Sequence, residues 1–199
     1  MRLKPVRSVE EVEAYRASLR GREVVVIGAG RSGLATTGRL AEAGAHVRLA
    51  DAKPLSELAM AAEQVRRWGA GIIPQFERYE QIADADLVIS SPGIAWEHPA
   101  LAEARARDVE TFGTFEFAWR LCASPVVAVT GTNGKGTVCR MLSDMLAHAG
   151  IHHILARNIG LPLAEKLDET APDVVVILEV SSFQLETIVL FRPRIATLL

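Results

Sequence analysis

Residues 22–44, REVVVIGAGRSGLATTGRLAEAG, place a β-branched run before a glycine loop and a helical pattern after it. Gly28, Gly30 and Gly33 have the spacing G-x-G-x-x-G, in the strand–loop–helix context in which that spacing is informative. Such glycines let a backbone approach a phosphate, and the helix N-terminus adds partial positive charge. This stretch therefore predicts a Rossmann-like nucleotide-binding unit.

The same alternation continues along the chain. Up to residue 112 it predicts further strands at 45–51 and 85–93 and helices at 56–69 and 98–108. A short connecting helix is predicted in 114–125, after which strands are predicted at 126–131, 152–156, 173–181 and 192–199, with helices at 135–150 and 161–169. We predict an α/β protein with a Rossmann-like parallel-sheet domain at 1–121 and an incomplete P-loop-type α/β domain at 122–199.

The second glycine loop lies in VVAVTGTNGKGT, residues 126–137, and departs from the pattern G-x-x-x-x-G-K-[ST]. Val129 stands where the first glycine belongs, and Gly136 follows Lys135 where a hydroxyl belongs. Consecutive backbone amides in such a loop still form an anion site, and the lysine neutralises phosphate charge. We predict a phosphate-binding loop whose metal-binding hydroxyl is displaced to Thr137.

Composition and charge limit the class of protein. A net charge of -2, with 49% hydrophobic and 23% charged residues, is ordinary for a globular domain and gives no sign of nucleic-acid or acidic-membrane binding. The N-terminus has no signal-peptide pattern and no apolar run is long enough to span a bilayer. Cys122 and Cys139 form no C-x-x-C, which favours two reduced thiols. We expect a soluble cytoplasmic monomer.

Three motifs carry a family resemblance. TGTNGKGT (130–137) resembles the shortened ATP loop of the Mur ligases and folylpolyglutamate synthases, RNIGLPL (157–163) resembles their N-I-G-x-P segment, and LEVSSFQLE (178–186) resembles the Mur ligases that add D-glutamate. The resemblance implies ATP and Mg²⁺ as cofactors and UDP-N-acetylmuramoyl-L-alanine and D-glutamate as substrates. It implies an ADP-forming ligation through an acyl phosphate, in peptidoglycan precursor synthesis.

The resemblance also implies the roles of individual residues. Lys135 and Glu179 would be catalytic, and Glu179 and Thr137 would bind the metal. The ATP loop would comprise Gly131, Thr132, Asn133, Gly134, Lys135, Gly136 and Thr137. The first domain and its cleft would hold the UDP-linked substrate on Gly28, Gly30, Arg31, Ser32, Gly33, Asp51, Lys53, Ser91, Pro92, Gly93, Asn158, Ser181 and Phe183.

Other interpretations remain open. Gly136 is more typical of a folylpolyglutamate synthase, whereas SSFQLE and the domain order oppose that activity. GAGRSG and Asp51, about twenty residues on, also fit an NAD(P)-dependent oxidoreductase. Alternatively, these glycines only allow tight packing of the strand against the helix and bind no nucleotide. The apolar run RIATLL ends the chain without a turn, so we expect an N-terminal fragment of a longer protein, either inactive alone as a ligase or a non-catalytic nucleotide binder.

Overall fold

The first sheet has five parallel strands in a doubly wound order. A computed structural model, which describes residues 5–157 and 161–199, gives the order β3-β2-β1-β4-β5. Val24, Val25 and Val26 on the central strand are fully buried, because helices cover both faces of the sheet. The strands are β1 (Glu23–Ile27), β2 (His46–Ala50), β3 (Gly71–Ile73), β4 (Leu87–Ser90) and β5 (Glu110–Gly113).

Four helices accompany this sheet. The N-terminal helix α1 begins with a capping box, in which the Ser8 hydroxyl accepts from the Glu11 N–H and the Glu11 carboxylate accepts from the Ser8 N–H. Pro99 occupies the first turn of α4, where its missing N–H costs no hydrogen bond. The helices are α1 (Val9–Ser18), α2 (Arg31–Glu42), α3 (Ala59–Arg67) and α4 (Pro99–Ala106).

The second sheet has four parallel strands in the order β7-β8-β6-β9. In the described residues β9 pairs only with β6, and Leu198 on β9 is 79% exposed. The elements are β6 (Val126–Thr130), α6 (Lys135–His148), β7 (His153–Ala156), a 3₁₀ helix (Leu163–Glu169), β8 (Val175–Glu179), α7 (Ser182–Leu185) and β9 (Ile195–Leu198).

Helix α5 (Thr114–Arg120) lies between the two sheets and is buried at every residue. It follows β5 directly, and its residues Phe115, Phe117 and Trp119 belong to one hydrophobic cluster that includes Val24 of the first sheet and Val176 of the second. The core is therefore continuous across the two sheets.

The predicted α/β architecture with parallel sheets is confirmed, with differences at single elements. The predicted helix at 161–169 is a 3₁₀ helix, and the Ala164 carbonyl accepts a hydrogen bond from Nε of Arg39 (3.0 Å), which diverts it from an α-helical partner. The patterns gave no sign of α1, β3, β5, α7 or a 3₁₀ helix at Tyr79–Ile82. None of the helices in the described residues is long and apolar enough to cross a bilayer.

Candidate functional site

The first glycine loop (residues 28–33) lies at the carboxyl edge of the first sheet, between β1 and α2. A Cβ on Gly33 would lie 1.9 Å from the Gly28 carbonyl oxygen, and a Cβ on Gly28 would lie 2.8 Å from Cβ of Ser91. The Ser91 hydroxyl donates to that same carbonyl oxygen (3.0 Å). Close packing between loop, helix and the β4 end therefore explains Gly28 and Gly33 without any ligand.

Gly30 is different from its two neighbours in the motif. It is the N-cap of α2 with an ordinary φ of -74°, and a Cβ there would meet nothing within 4 Å among the described residues. Neither packing nor backbone strain requires a glycine at this position. The N–H groups of the first helical turn have no intrahelical partners, so the open Gly30 backbone leaves room for a group to approach these donors.

Asp51 holds the first glycine loop in place. Its carboxylate accepts from the Ala29 N–H (2.7 Å) and from the Lys53 N–H (3.0 Å), which ties the β2 end to the loop. The Lys53 residue itself is exposed. Asp51 therefore has a structural role at the loop whether or not it also contacts a ligand.

The Arg31 side chain is already paired. Its guanidinium makes two hydrogen bonds to Glu165 of the 3₁₀ helix (2.5 and 2.6 Å), and Arg39 on the same helix face pairs with Asp168 (2.7 Å). These hydrogen bonds raise the pKa of Arg31 and lower the pKa of Asp168. In this arrangement the side chain predicted to contact a diphosphate links α2 to the second sheet's 3₁₀ helix.

A concave groove runs along this face of α2, beside α3 and the 3₁₀ helix, with a volume of about 670 Å³. Leu34 and Trp68 line it, together with both members of the Arg31–Glu165 pair. It lies along the side of α2 and includes no residue of the second glycine loop.

A second cavity, the α7 cleft, separates residues 92–97 from α7 and has a volume of about 410 Å³. Pro92, Gly93 and Trp96 line one wall, and Phe183 and Thr187 line the other. The Phe183 side chain is 64% exposed, which is unusual for a large apolar residue and places a free aromatic surface in the cleft. The predicted residues of the SPGI loop and Phe183 thus face each other.

The second glycine loop (residues 131–136) connects β6 to α6. Gly131 and Gly134 have φ values of +137° and +82°, a region that favours glycine, and Gly134 is the N-cap of α6. Nζ of Lys135 donates to the carbonyl oxygens of Gly131 (2.7 Å) and Thr132 (3.1 Å). The lysine therefore folds back over the loop, with its charge held beside the N-terminal end of the 14-residue helix α6.

Glu179 lies at the carboxyl end of β8, next to this loop. A Cβ on Gly136 would lie 3.7 Å from Oε2 of Glu179, and Glu179 is aligned with Val129 in the β6–β8 ladder. Glu179 is partly buried, whereas Thr137 is exposed on α6. The loop thus presents one positive and one negative group beside its free amides.

These groups fit a nucleotide with a divalent cation. Mg²⁺ is commonly held by one or two carboxylates together with phosphate oxygens and waters, and Glu179 supplies a carboxylate beside the loop. Within residues 5–157 and 161–199 no group of three or more His, Cys, Asp and Glu side chains forms a metal site built from protein ligands alone. The donor set therefore suits a metal bound through a nucleotide.

One segment, Glu179–Thr187, contacts both the second glycine loop and the α7 cleft. Glu179 lies at the loop, the Ser181 hydroxyl accepts from the Gln184 N–H (3.3 Å) as the N-cap of α7, and Phe183 reaches the cleft. The Gln184 side chain in turn accepts a hydrogen bond from the Ser181 N–H (3.0 Å). The predicted residue Ser181 therefore fixes the cleft wall, and Asn158 lies outside the described residues.

Sequence reasoning missed Glu116, which lies on the connecting helix α5. Glu116 is fully buried and accepts from three consecutive backbone N–H groups, those of residues 189–191. The signal was present in TFEFAWR, since a glutamate four residues before an arginine inside an apolar helix indicates a buried ion pair.

Comparison with known proteins finds similarity to the Mur ligases. Residues 22–113 match the family described as Mur ligase MurD-like, N-terminal domain. The chain is 36% identical over 180 residues to the UDP-N-acetylmuramoylalanine--D-glutamate ligase of Desulfatibacillum aliphaticivorans, covering 90% of the chain and 40% of the relative. It is 40% identical over 183 residues to the enzyme of that name from Sodalis glossinidius, again covering 90% and 40%.

Solved structures agree at the level of the fold. The ligase acting on UDP-N-acetylmuramate and L-alanyl-gamma-D-glutamyl-meso-diaminopimelate from Neisseria meningitides matches with a TM-score of 0.51 and 20% identity, over 90% of this chain and 61% of that chain. The murein peptide ligase of Psychrobacter arcticus matches with a TM-score of 0.51 and 19% identity, over 88% and 42%. The chain spans about 40% of the length of the curated relatives it matches. Residues 22–113 thus resemble the MurD-like N-terminal domain of the Mur ligases, and the similarity to the curated ligases extends over about 90% of the chain.

Proposed function

We propose that this chain carries the UDP-substrate and ATP sites of an ATP-dependent ligase that joins D-glutamate to UDP-N-acetylmuramoyl-L-alanine in peptidoglycan precursor synthesis. The observation that carries the proposal is the Glu179–Thr187 segment, which borders both the second glycine loop and the α7 cleft. A ligase that activates one substrate with ATP needs these two sites side by side. The identity of the substrates follows from the similar UDP-N-acetylmuramoylalanine--D-glutamate ligases.

We propose two functional units, 1–121 and 122–199. The first would hold the UDP-linked substrate, with its diphosphate near the bare Gly30 backbone and its remaining parts toward Ser91–Gly93 and Phe183. The second would hold ATP on the second glycine loop. The reaction would take place in the cytoplasm, and the chain would act as a monomer.

In the proposed reaction an oxygen of the L-alanyl carboxylate attacks the γ-phosphorus of ATP, giving an acyl phosphate and ADP. The amine of D-glutamate then attacks the acyl carbon, and the new amide forms as phosphate and a proton are released. Lys135 would neutralise the charge of the phosphates, which is the main contribution a protein makes to phosphoryl transfer. To do so, its Nζ would exchange the Gly131 and Thr132 carbonyl oxygens for phosphate oxygens.

Glu179 would hold the magnesium ion together with the phosphates, and Thr137 is the nearby hydroxyl that could join it. When bound, the ion would neutralise negative charge that builds up between the phosphates. Phe183 and Trp96 would shield the cleft from water on opposite sides.

Isothermal titration calorimetry tests this proposal. We expect UDP-N-acetylmuramoyl-L-alanine to bind the protein, a non-hydrolysable ATP analogue to bind independently in the presence of Mg²⁺, and NAD(H) to give no heat of binding. Tight binding of NAD(H) with no response to the UDP-sugar would overturn the proposal in favour of an oxidoreductase.

A further inference from the structure

The buried carboxylate of Glu116 joins three parts of the molecule. Its side chain is completely buried on α5, Nε of Arg120 donates to it (2.8 Å), and the N–H groups of Val189, Leu190 and Phe191 donate to its two oxygens (3.2, 3.0 and 3.0 Å). Four donors converge on one carboxylate, so its charge is well compensated despite the burial.

Arg120 completes this buried network. NH1 of Arg120 also donates to Glu110 on β5 (2.7 Å), and the guanidinium carbon lies 4.0 Å from the centre of the Phe112 ring. Burial alone would lower the pKa of Arg120, but the hydrogen bonds that Arg120 donates to Glu116 and Glu110 outweigh this effect, and its pKa is raised. The arginine therefore stays charged and anchors Glu116 to the first sheet.

Residues 189–191, whose N–H groups donate to Glu116, follow closely after Thr187, which lines one wall of the α7 cleft. Helix α7 has only four residues, and such a short helix cannot hold its own position. Contacts with the β5–α5 region fix it instead. The Gly113 N–H donates to the Thr187 carbonyl oxygen (3.1 Å), and Phe191 packs edge-on against Phe115 with ring centres 4.6 Å apart.

The chain after residues 189–191, which forms β9, is held by hydrogen bonds that do not involve Glu116. Arg194 and Leu199 donate to the carbonyl oxygens of Val126 (2.8 Å) and Thr130 (3.0 Å), and the β6–β9 ladder lies between them. Loss of the Glu116 contacts would therefore loosen the segment after α7, which would keep the Gly113–Thr187 hydrogen bond and the Phe115–Phe191 contact described above, while β9 stays beside the second glycine loop.

We propose that Glu116 is a positioning residue which, through the 189–191 backbone, sets the place of α7 and hence the width of the α7 cleft for the UDP-linked substrate. The proposal rests on the proposed function, since it takes that substrate to occupy the cleft. Glu116 touches neither the cleft nor the second glycine loop. It acts by holding the 189–191 backbone, which follows the cleft wall, on α5.

The test is a pair of binding titrations on wild type, Glu116→Gln and Arg120→Met. In Glu116→Gln the amide NH₂ would face other donors, so the 189–191 segment loses part of its anchor, and we expect the affinity for UDP-N-acetylmuramoyl-L-alanine to fall by about tenfold. Binding of the Mg²⁺–ATP analogue should change by less than about twofold, because its loop and β9 keep their contacts. Arg120→Met leaves the three backbone donors on Glu116. It should therefore lower the melting temperature without weakening the UDP-sugar more than the ATP analogue.

A folded Glu116→Gln that binds the UDP-sugar as tightly as wild type, or that loses both ligands equally, would overturn the proposal. If Glu116→Gln does not fold, Glu116→Asp and hydrogen exchange replace it. Asp is one methylene too short to reach all three donors, and we expect the same split in affinities together with faster exchange of the 189–191 amides. Unchanged affinity or exchange in Glu116→Asp would count against the proposal. A wild type that binds no UDP-sugar would instead defeat the proposed function.

Discussion

Oε2 of Glu179 lies 3.7 Å from the point where a Cβ on Gly136 would stand. In the standard phosphate loop that position carries the hydroxyl of Ser or Thr, which binds the metal. Here a carboxylate faces a residue with no side chain. Glu179 is therefore the protein group best placed to hold a cation beside the loop.

Magnesium dependence should follow Glu179 rather than Thr137. We expect Glu179→Ala to raise the Mg²⁺ concentration needed for binding of an ATP analogue by about tenfold or more, since ligand-shell changes cost at least that in metal affinity. Thr137→Ala should be nearly silent, because Thr137 is exposed on the helix surface. Magnesium titrations of both variants decide the matter. A large effect in Thr137→Ala would show that the hydroxyl role has shifted by one residue.

Lys135 should be required for nucleotide binding and dispensable for folding. Within the described part of the chain its ammonium group is bound only by two loop carbonyls, so Lys135→Ala should leave the melting temperature nearly unchanged. Loss of a charge-assisted contact to phosphate should weaken an ATP analogue by roughly ten- to a hundredfold, and in the intact ligase should cost several kcal/mol, as an order of magnitude, in the transition state. Lys166→Ala, which removes an ion pair with Glu169, is the control. Unchanged affinity in Lys135→Ala would mean that the loop is not the ATP site.

Substitution of Gly33 in the first loop should affect folding, whereas substitution of Gly30 should affect ligand binding. Gly33→Ala places a Cβ against the Gly28 carbonyl oxygen and should destabilise the protein by about 3 kcal/mol or more, as an overpacked site does. Gly30→Ala has free space around it and should fold normally, while weakening the UDP-sugar if its diphosphate lies against this backbone. Urea unfolding and calorimetry measure the two effects. Equal stability losses would contradict the distinction.

Stability should fall at high pH because of Tyr15 on α1. Burial raises the pKa of Tyr15 to about 12, and its hydroxyl is buried without a hydrogen bond to any described residue. A raised pKa means that the folded state prefers the protonated phenol, so this contribution is complete below pH ~10 and is lost as the pH rises toward ~12. The loss amounts to about 3 kcal/mol once the pH exceeds both pKa values.

Tyr15→Phe should remove that part of the alkaline loss. At pH 7 we expect its free energy of unfolding to stay within about 0.5 kcal/mol of wild type, since no hydrogen bond is broken. Urea unfolding of both proteins at pH 7, 9 and 11 makes the comparison. Parallel alkaline losses in the two proteins would assign the effect to other groups.

The strand–loop–helix stretches were predictable because their signals are local. The run ending at Ile27 and the run ending at Thr130 are β-branched, bounded by glycines and followed by helical patterns, and both form as expected. Strand β5 was missed because its four residues carry no alternation and gain their burial from α5 and the Thr187 region. Helix α7 was missed because a four-residue helix depends on its cap and on contacts distant in sequence.

The residues of the candidate site also fall into those with a local sequence signal and those that depend on contacts distant in sequence. The sequence identified the loop residues, because glycine and lysine at fixed spacing report the backbone conformation directly. It did not identify the partner of Arg31, since Glu165 lies 134 residues further along the chain and meets Arg31 only when α2 packs against the 3₁₀ helix. Nor did it separate Gly30 from Gly33, because the difference depends on what surrounds each Cα.

The join between the two sheets has a consequence for unfolding. Leu121, Cys122 and Ser124 connect α5 to β6, and they are only 4%, 2% and 3% exposed, whereas domain linkers usually lie on the surface. A protease has no loop to cut there, and neither sheet can separate without exposing the rings of Phe115 and Trp119. The two sheets should therefore melt in one cooperative transition, and residues 1–121 expressed alone should aggregate through the uncovered face of α5.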